Sequence, residues 1–231
     1  FIEQYYSNGL YLVTSKLLRV LFGWIPFSFG DLLLAALLVV SFRFIYRLFK
    51  DRFKKFKQKL IYAIAFISVI YSCFYWFWGF NYFREPLAKN LGFSQSKYTT
   101  EELTDVSKNI MQRLNETQLF ITKNDSVKVN NQYSPKEMYQ KALSGYQNLA
   151  VTFPQFEYQY TTVKSSLMSL VQTYNGTSGY FNPFTGEAQV NDRIPINGYP
   201  TTVCHEMAHQ IGIAAENEAN FVGYLAALSN E

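Results

Sequence analysis

The sequence predicts a mostly helical α+β chain in which an N-terminal transmembrane helical hairpin precedes a metal-binding domain. Three observations predict it. Residues 60–83 run for 24 positions without a formal charge. A short, strongly basic connector separates them from an earlier apolar run. Near the other end, residues 205–211 read H-E-M-A-H-Q-I, and the only two histidines of the chain both fall there.

The elements follow in order. The chain begins at Phe1 and stops in a polar stretch, so it reads as a trimmed chain with a further hydrophobic segment upstream. Residues 1–20, with Tyr5-Tyr6 and Leu17-Leu18, read as an extracytoplasmic segment on the membrane surface. Residues 21–83 read as the hairpin. Its first span covers about 25–46: the run Leu21–Phe42 is apolar except for Asp31. Gly30-Asp31 marks the interface, or Asp31 sits in the membrane against a partner helix, and Pro26 breaks or begins the helix. The second span, 60–83, is long enough to cross a bilayer with some tilt, and Tyr75, Trp76, Trp78 and Tyr82 form an aromatic belt at its far end. The 21 Phe, 18 Tyr and 3 Trp of the whole chain suit such a protein.

Residues 43–59 hold eight Lys/Arg against one Asp, whereas residues 84–231 hold eleven against fourteen acids. The net charge of +4 is therefore a local juxtamembrane feature and gives no support to nucleic-acid binding. The positive-inside rule places the loop 47–59 in the cytoplasm and everything beyond either span outside it. Cys73 and Cys204 suggest no disulfide framework.

Composition changes after Arg84-Glu85-Pro86, and residues 84–231 read as an extracytoplasmic domain. Thr99 and Glu102 form a capping-box pattern before helical spacing through Leu103, Val106, Ile110 and Leu114. Residues 122–133 read as a loop. Ser134-Pro135-x-Glu137 opens a helix that should end near Leu149. Val163–Tyr174 reads as a short helix or a helix with a strand, and Tyr180–Val190 as a turn or hairpin.

A helix starting after Pro200, with Thr201 or Thr202 as its cap, puts His205 and His209 on one face. Two imidazoles at that spacing can hold one zinc ion, and Glu206 beside them can serve as general base for an activated water. A hydrolytic zinc site needs a third protein ligand, and Glu216 and Glu218 are the candidates. On a second helix over 216–228, Glu216 shares a face with Asn220, whereas Glu218 projects about 200° further round. Glu216 is favoured because Asn220 can then orient a ligand histidine. The six residues between His209 and Glu216 require Gly212 to turn the chain back at once. Tyr180, Tyr199 and Tyr224 are unranked candidates for stabilising an oxyanion. Residues 180–191 either offer an edge strand to an extended peptide or simply cover the helix. These parts describe a zinc-dependent endopeptidase of polypeptide or envelope substrates, anchored in the cell membrane. An envelope amidase and a catalytically silent scaffold are the alternatives.

The stretches W-I-P-F-S-F-G-D at Trp24–Asp31, N-P-F-T-G-E-A-Q-V-N at Asn182–Asn191, and P-T-T-V-C-H-E-M-A-H-Q-I-G-I-A-A-E-N-E-A-N-F-V-G-Y-L-A at Pro200–Ala226 resemble the DUF3810 family of bacterial membrane proteins. The resemblance covers nearly the whole chain. It implies a zincin-like metallopeptidase domain behind N-terminal spans. The run Glu216–Asn220 is also similar to the E-x-x-A-[N/D] motif of gluzincin peptidases, which implies Glu216 as third zinc ligand and Asn220 as its support. Metzincins resemble the chain less, since their third histidine would fall at Ala215.

Overall fold

The computed structural model describes residues 1–93 and 97–230; Glu231, the last residue of the domain expected from the sequence, lies outside the described residues. The chain is mostly helical, with one three-stranded sheet among the described residues. It divides into two units, residues 85–133 and the remainder.

The larger unit begins with a π-helical segment, Ile2–Leu10, that runs into α1, Tyr11–Gly23. Two long helices follow: α2, Phe29–Lys50, and α3, Phe56–Phe77. Each has 22 residues, their apolar windows reach mean hydropathies of 2.0 and 1.9, and none of either window is buried. At 1.5 Å per residue they extend about 33 Å, against about 30 Å of bilayer hydrocarbon. They are long and apolar enough to cross a membrane, and their uncovered flanks are unlike a soluble core.

The first of them starts later than the uninterrupted apolar run suggested. Chain direction changes over residues 24–28, around Pro26, and Ser28 caps the new helix by accepting a hydrogen bond from the Asp31 amide at 3.1 Å. Asp31 is only 1 % exposed. Its carboxylate accepts from Ser166 Oγ (3.0 Å), the Leu167 amide (2.7 Å) and Tyr180 Oη (2.5 Å). Its partners are therefore the segments around the sheet.

The smaller unit holds α4, Leu87–Asn90, and α5, Thr100–Thr122. The capping box at Thr99 and Glu102 forms in both directions. The stripe Leu103, Val106, Ile110 and Leu114 follows the helical period and is exposed.

Back in the larger unit, a second capping box at Ser134 and Glu137 opens α6, Pro135–Thr152. This helix runs about a turn past Leu149, because the following Phe153-Pro154 is what stops it. Strand β1, Val163–Ser165, precedes α7, Ser169–Asn175, so the ambiguous stretch resolves into a strand and a helix. Strands β2, Gly179–Asn182, and β3, Glu187–Val190, form an antiparallel hairpin. Its turn is fixed by Asn182, whose Oδ1 accepts from the Phe184 amide, and by Gly186 at φ +67°. β1 joins β3 in parallel, giving the order β1-β3-β2 with β2 at an edge.

Helices α8, Tyr199–Gln210, and α9, Glu216–Leu228, complete the unit. The start of α8 differs from the sequence expectation. The helix begins at Tyr199 on Gly198, with Pro200 inside its first turn and no side-chain cap. Proline fits there because its missing N–H has no intrahelical partner to lose. The hydroxyls of Thr201 and Thr202 instead donate back to the Gly198 carbonyl. The core forms where α8 meets the sheet, α6 and α9, around Tyr146, Val190, Val203, Met207 and Val222. Burial of such side chains contributes about 1.5–3 kcal/mol each.

Candidate metal centre

The centre is built at the junction of α8 and α9. Gly212, at φ +88°, ends α8 in a Schellman turn: the Ile213 amide donates to Ala208 O (3.1 Å) and the Gly212 amide to His209 O (3.0 Å). The chain reverses within a few residues, so six intervening positions suffice to bring Glu216 back over the histidines. A side chain at 212 would meet both the positive φ and the Tyr11 ring, 2.9 Å from an added Cβ.

Packing of α9 on α8 keeps Glu216 in place. At Gly223 an added Cβ would lie 2.8 Å from the His205 amide nitrogen and 3.0 Å from its Cα. Only a glycine lets the helices approach this closely. Gly223→Ala is therefore expected to push α9 outward, costing about 1–3 kcal/mol of stability and drawing Glu216 from the histidines, which would weaken the hold on any divalent ion. Thermal unfolding and metal titration of the purified full chain check both effects, and unchanged values would show the contact to be yielding.

Ligand atoms of His205, His209 and Glu216 all lie within 4.8 Å of one another. His205 Nε2 is 3.0 Å from His209 Nε2 and 3.2 Å from Glu216 Oε2; His209 Nε2 is 3.6 Å from Glu216 Oε1. Glu218 is not part of this group. The Ile213 carbonyl accepts from His209 Nδ1 at 2.7 Å, which leaves Nε2 to offer its lone pair to the cluster. Burial holds His209 below the usual imidazole range, and the neighbouring His205 lowers it further. Imidazole nitrogens beside a carboxylate suit a divalent cation.

Glu206 stands beside the cluster and outside it. It is 4 % exposed, and its Oε2 has no hydrogen-bond partner. Burial first, and the Glu216 carboxylate second, push its carboxyl up to about 8. Gly179 of β2 passes so close that an added Cβ would sit 2.7 Å from Glu206 Oε1. A cavity of about 420 Å³ opens here, bordered by Gly179, Thr201, Thr202, His205, Glu206, Asn220 and Tyr224.

Of the three tyrosines expected near an oxyanion, only Tyr224 borders this cavity. Tyr180 donates to Asp31, and burial with that carboxylate holds its phenol firmly protonated. Tyr199 is 2 % exposed and bonds Tyr139 Oη at 2.9 Å. Asn220 lines the cavity with His205, whose Nδ1 is buried without a hydrogen-bond partner. Orientation of an imidazole comes instead to His209, from Ile213. Cys204 is buried, and burial pushes its thiol up to about 12, as suits an inert core thiol.

Some of the setting had no signal in the sequence. Trp78, the residue after α3, donates from Nε1 to His209 O at 3.0 Å, and its ring meets that of His209 edge-on, 5.8 Å between centroids. Tyr11 Oη and Ser15 Oγ on α1 both donate to Gln210 O at 2.9 Å. Gln210, fully buried, ties the same end of α8 to Tyr158, Thr162 and the Gly186 carbonyl. These are contacts between residues far apart in the chain.

A profile of the DUF3810 family, described as a protein of unknown function, matches residues 6–231. No curated protein and no solved structure matches the chain.

Proposed function

The chain belongs to the DUF3810 family, whose description assigns no activity, and from the residues of this member we propose a membrane-anchored, zinc-dependent endopeptidase. The observation that carries the reading is the group His205, His209 and Glu216 next to a buried carboxylate, Glu206, with an unpartnered oxygen. A divalent cation held by such a group would make a water acidic enough to attack a carbonyl and would polarise that carbonyl. Glu206 is placed to take the proton from the water and to return it to the leaving amine. Tyr224 is placed on the cavity wall, where its hydroxyl can meet a developing oxyanion. Zinc is preferred over a harder cation because two of the three ligands are imidazoles.

A polypeptide substrate is favoured over an envelope glycan by β2. It is an edge strand of the sheet, its Gly179 lies against Glu206, and an edge strand can pair with an extended backbone. The topology proposed is α2 and α3 crossing the cell membrane, the basic segment between them cytoplasmic, and a zincin-like domain outside.

The test is metal content and cleavage of a peptide pool by the full chain in detergent. Wild type is expected to carry one zinc per chain and to cut the pool. Glu216→Gln should lose the metal and Glu218→Gln should keep it. A wild-type protein that binds no divalent metal would sink the proposal. The reverse behaviour of the two variants would move the third ligand to Glu218, and cleavage of cell-wall fragments alone would favour an amidase.

A further inference from the structure

The C-terminal end of α8 is held by the same segments that flank the two long apolar helices. Trp78 follows α3 directly and donates to His209 O. Arg84, just beyond, donates from Nη1 to Gly212 O at 3.1 Å. Phe77, the last residue of α3, packs edge-on against Phe184 in the turn between β2 and β3. Glu187 at the start of β3 accepts from the amides of Phe29 and Gly30, at the start of α2. The end of α3 therefore meets the end of α8 that carries His209, and the start of α2 meets the sheet on which α8 packs.

Helix α1 adds an independent observation. Its inward face is partly polar: Tyr11, Ser15 and Arg19 are buried. Its outward face is largely apolar: Val13, Leu17 and Val20 are 67, 64 and 50 % exposed, with Lys16 exposed at the flank. A helix with polar groups turned to the protein and an apolar stripe turned away is suited to lipid, not water. This helix contacts the His209–Gln210 end of α8 directly. Trp24, just past this helix, and Trp76, near the end of α3, are 78 and 58 % exposed, as suits interfacial residues, whereas Trp78 is buried against His209.

The cluster nevertheless lies beyond the ends of α2 and α3 and not between them. Thr201 and Thr202 mark the opposite end of α8, eight and seven residues before His209, or about 12 Å along the axis. The cavity is bordered by Thr201, Thr202, His205 and Glu206 of α8, about one to two turns from the end that Trp78 and Arg84 hold.

Resting on the peptidase reading above, we infer that the substrate is the juxtamembrane stem of a membrane-anchored polypeptide. The bond cut lies within about 10 Å of the hydrocarbon boundary. A chain leaving the bilayer passes the C-terminal end of α8 and enters the cavity beside His205 and Glu206, with Thr201 and Thr202 further on. A free soluble peptide gains nothing from this placement, whereas an anchored one arrives at high local concentration.

The test uses the full chain in vesicles of phosphatidylethanolamine and phosphatidylglycerol. The probe is a randomised polar peptide with a fluorophore–quencher pair on a single transmembrane anchor. Polyproline spacers of zero, about 10 or about 20 residues lift it to stepped heights, at about 3 Å per residue. Cleavage is expected to be fastest without a spacer and to fall by about tenfold or more at the longest. An optimum at a longer spacer, equal rates at all heights, or equal cleavage of the unanchored peptide would overturn the inference while leaving the peptidase reading intact. Cleavage of no form would overturn both. A readout free of activity is quenching of tryptophan fluorescence by lipids brominated at different depths. Strongest quenching near the glycerol level is expected, and absence of quenching at every depth would place the site away from the bilayer.

Discussion

Glu206→Gln is expected to lower peptide cleavage by about 10²–10⁴-fold while leaving the metal content of the protein unchanged. The two halves of that expectation come from separate features. The cluster that would hold the cation is made by His205, His209 and Glu216, so removing the charge of Glu206 takes away no ligand. In the proposed mechanism proton transfer does depend on it. Burial and the Glu216 carboxylate push the Glu206 carboxyl up to about 8, so it holds a proton more readily than an exposed glutamate. That is the property needed in a group that receives a proton from water and later gives it to an amine. A positive ion at the cluster would favour the carboxylate and bring its working value down from there. Glutamine keeps the shape and cannot accept the proton. Metal analysis and cleavage assays on the same preparation of full chain read both effects. Retained cleavage would remove Glu206 from the chemistry, and lost metal would show that it supports the ligands as well.

What the sequence made legible was local. Capping boxes at Thr99 and Ser134 depend on residues three positions apart, and both form. His205 and His209 share a face because the helical period requires it. Gly212 could be identified as the reversing point because a left-handed residue there is what so short a gap demands. The preference for Glu216 over Glu218 followed from the same angular reasoning, and Glu216 is the one gathered with the histidines. The supporting contacts were not legible, because they join distant residues. Nothing in the neighbourhood of Trp78 indicates that its indole reaches His209, 131 positions away. The Ile213 carbonyl that orients His209 belongs to the backbone and leaves no trace in residue type. Helix α1 was the hardest case. Tyr11, Ser15 and Arg19 point inward and Val13, Leu17 and Val20 outward, so rules learned from soluble helices give the reverse of its orientation.

The largest effect on stability is expected at Glu187, on β3, far from the cluster in sequence and in role. Its side chain is fully buried. One carboxylate oxygen accepts from the Gly30 amide at 2.5 Å and from Thr185 Oγ1 at 2.9 Å; the other accepts from the Phe29 amide at 3.2 Å and pairs with Lys164 Nζ. The two amides belong to the first turn of α2, where the helix leaves its N–H groups unpaired and its dipole favours an anion. Lys164 in turn donates to the Phe22 and Phe27 carbonyls, at the corner between α1 and α2. A single carboxylate thus fastens the sheet to the start of an apolar helix that the rest of the chain does not cover. Glu187→Ala leaves a buried ammonium without its counter-charge and two amides without an acceptor, a loss of about 3–5 kcal/mol. Removing the ammonium as well, in Glu187→Ala with Lys164→Met, should restore a substantial part of that loss, since an unpaired buried charge costs more than an apolar replacement. Unfolding of the full chain in detergent, compared across wild type, the two single variants and the double, measures the coupling. A Glu187→Ala protein as stable as wild type would mean that the corner is held by packing of α1 and α2 alone.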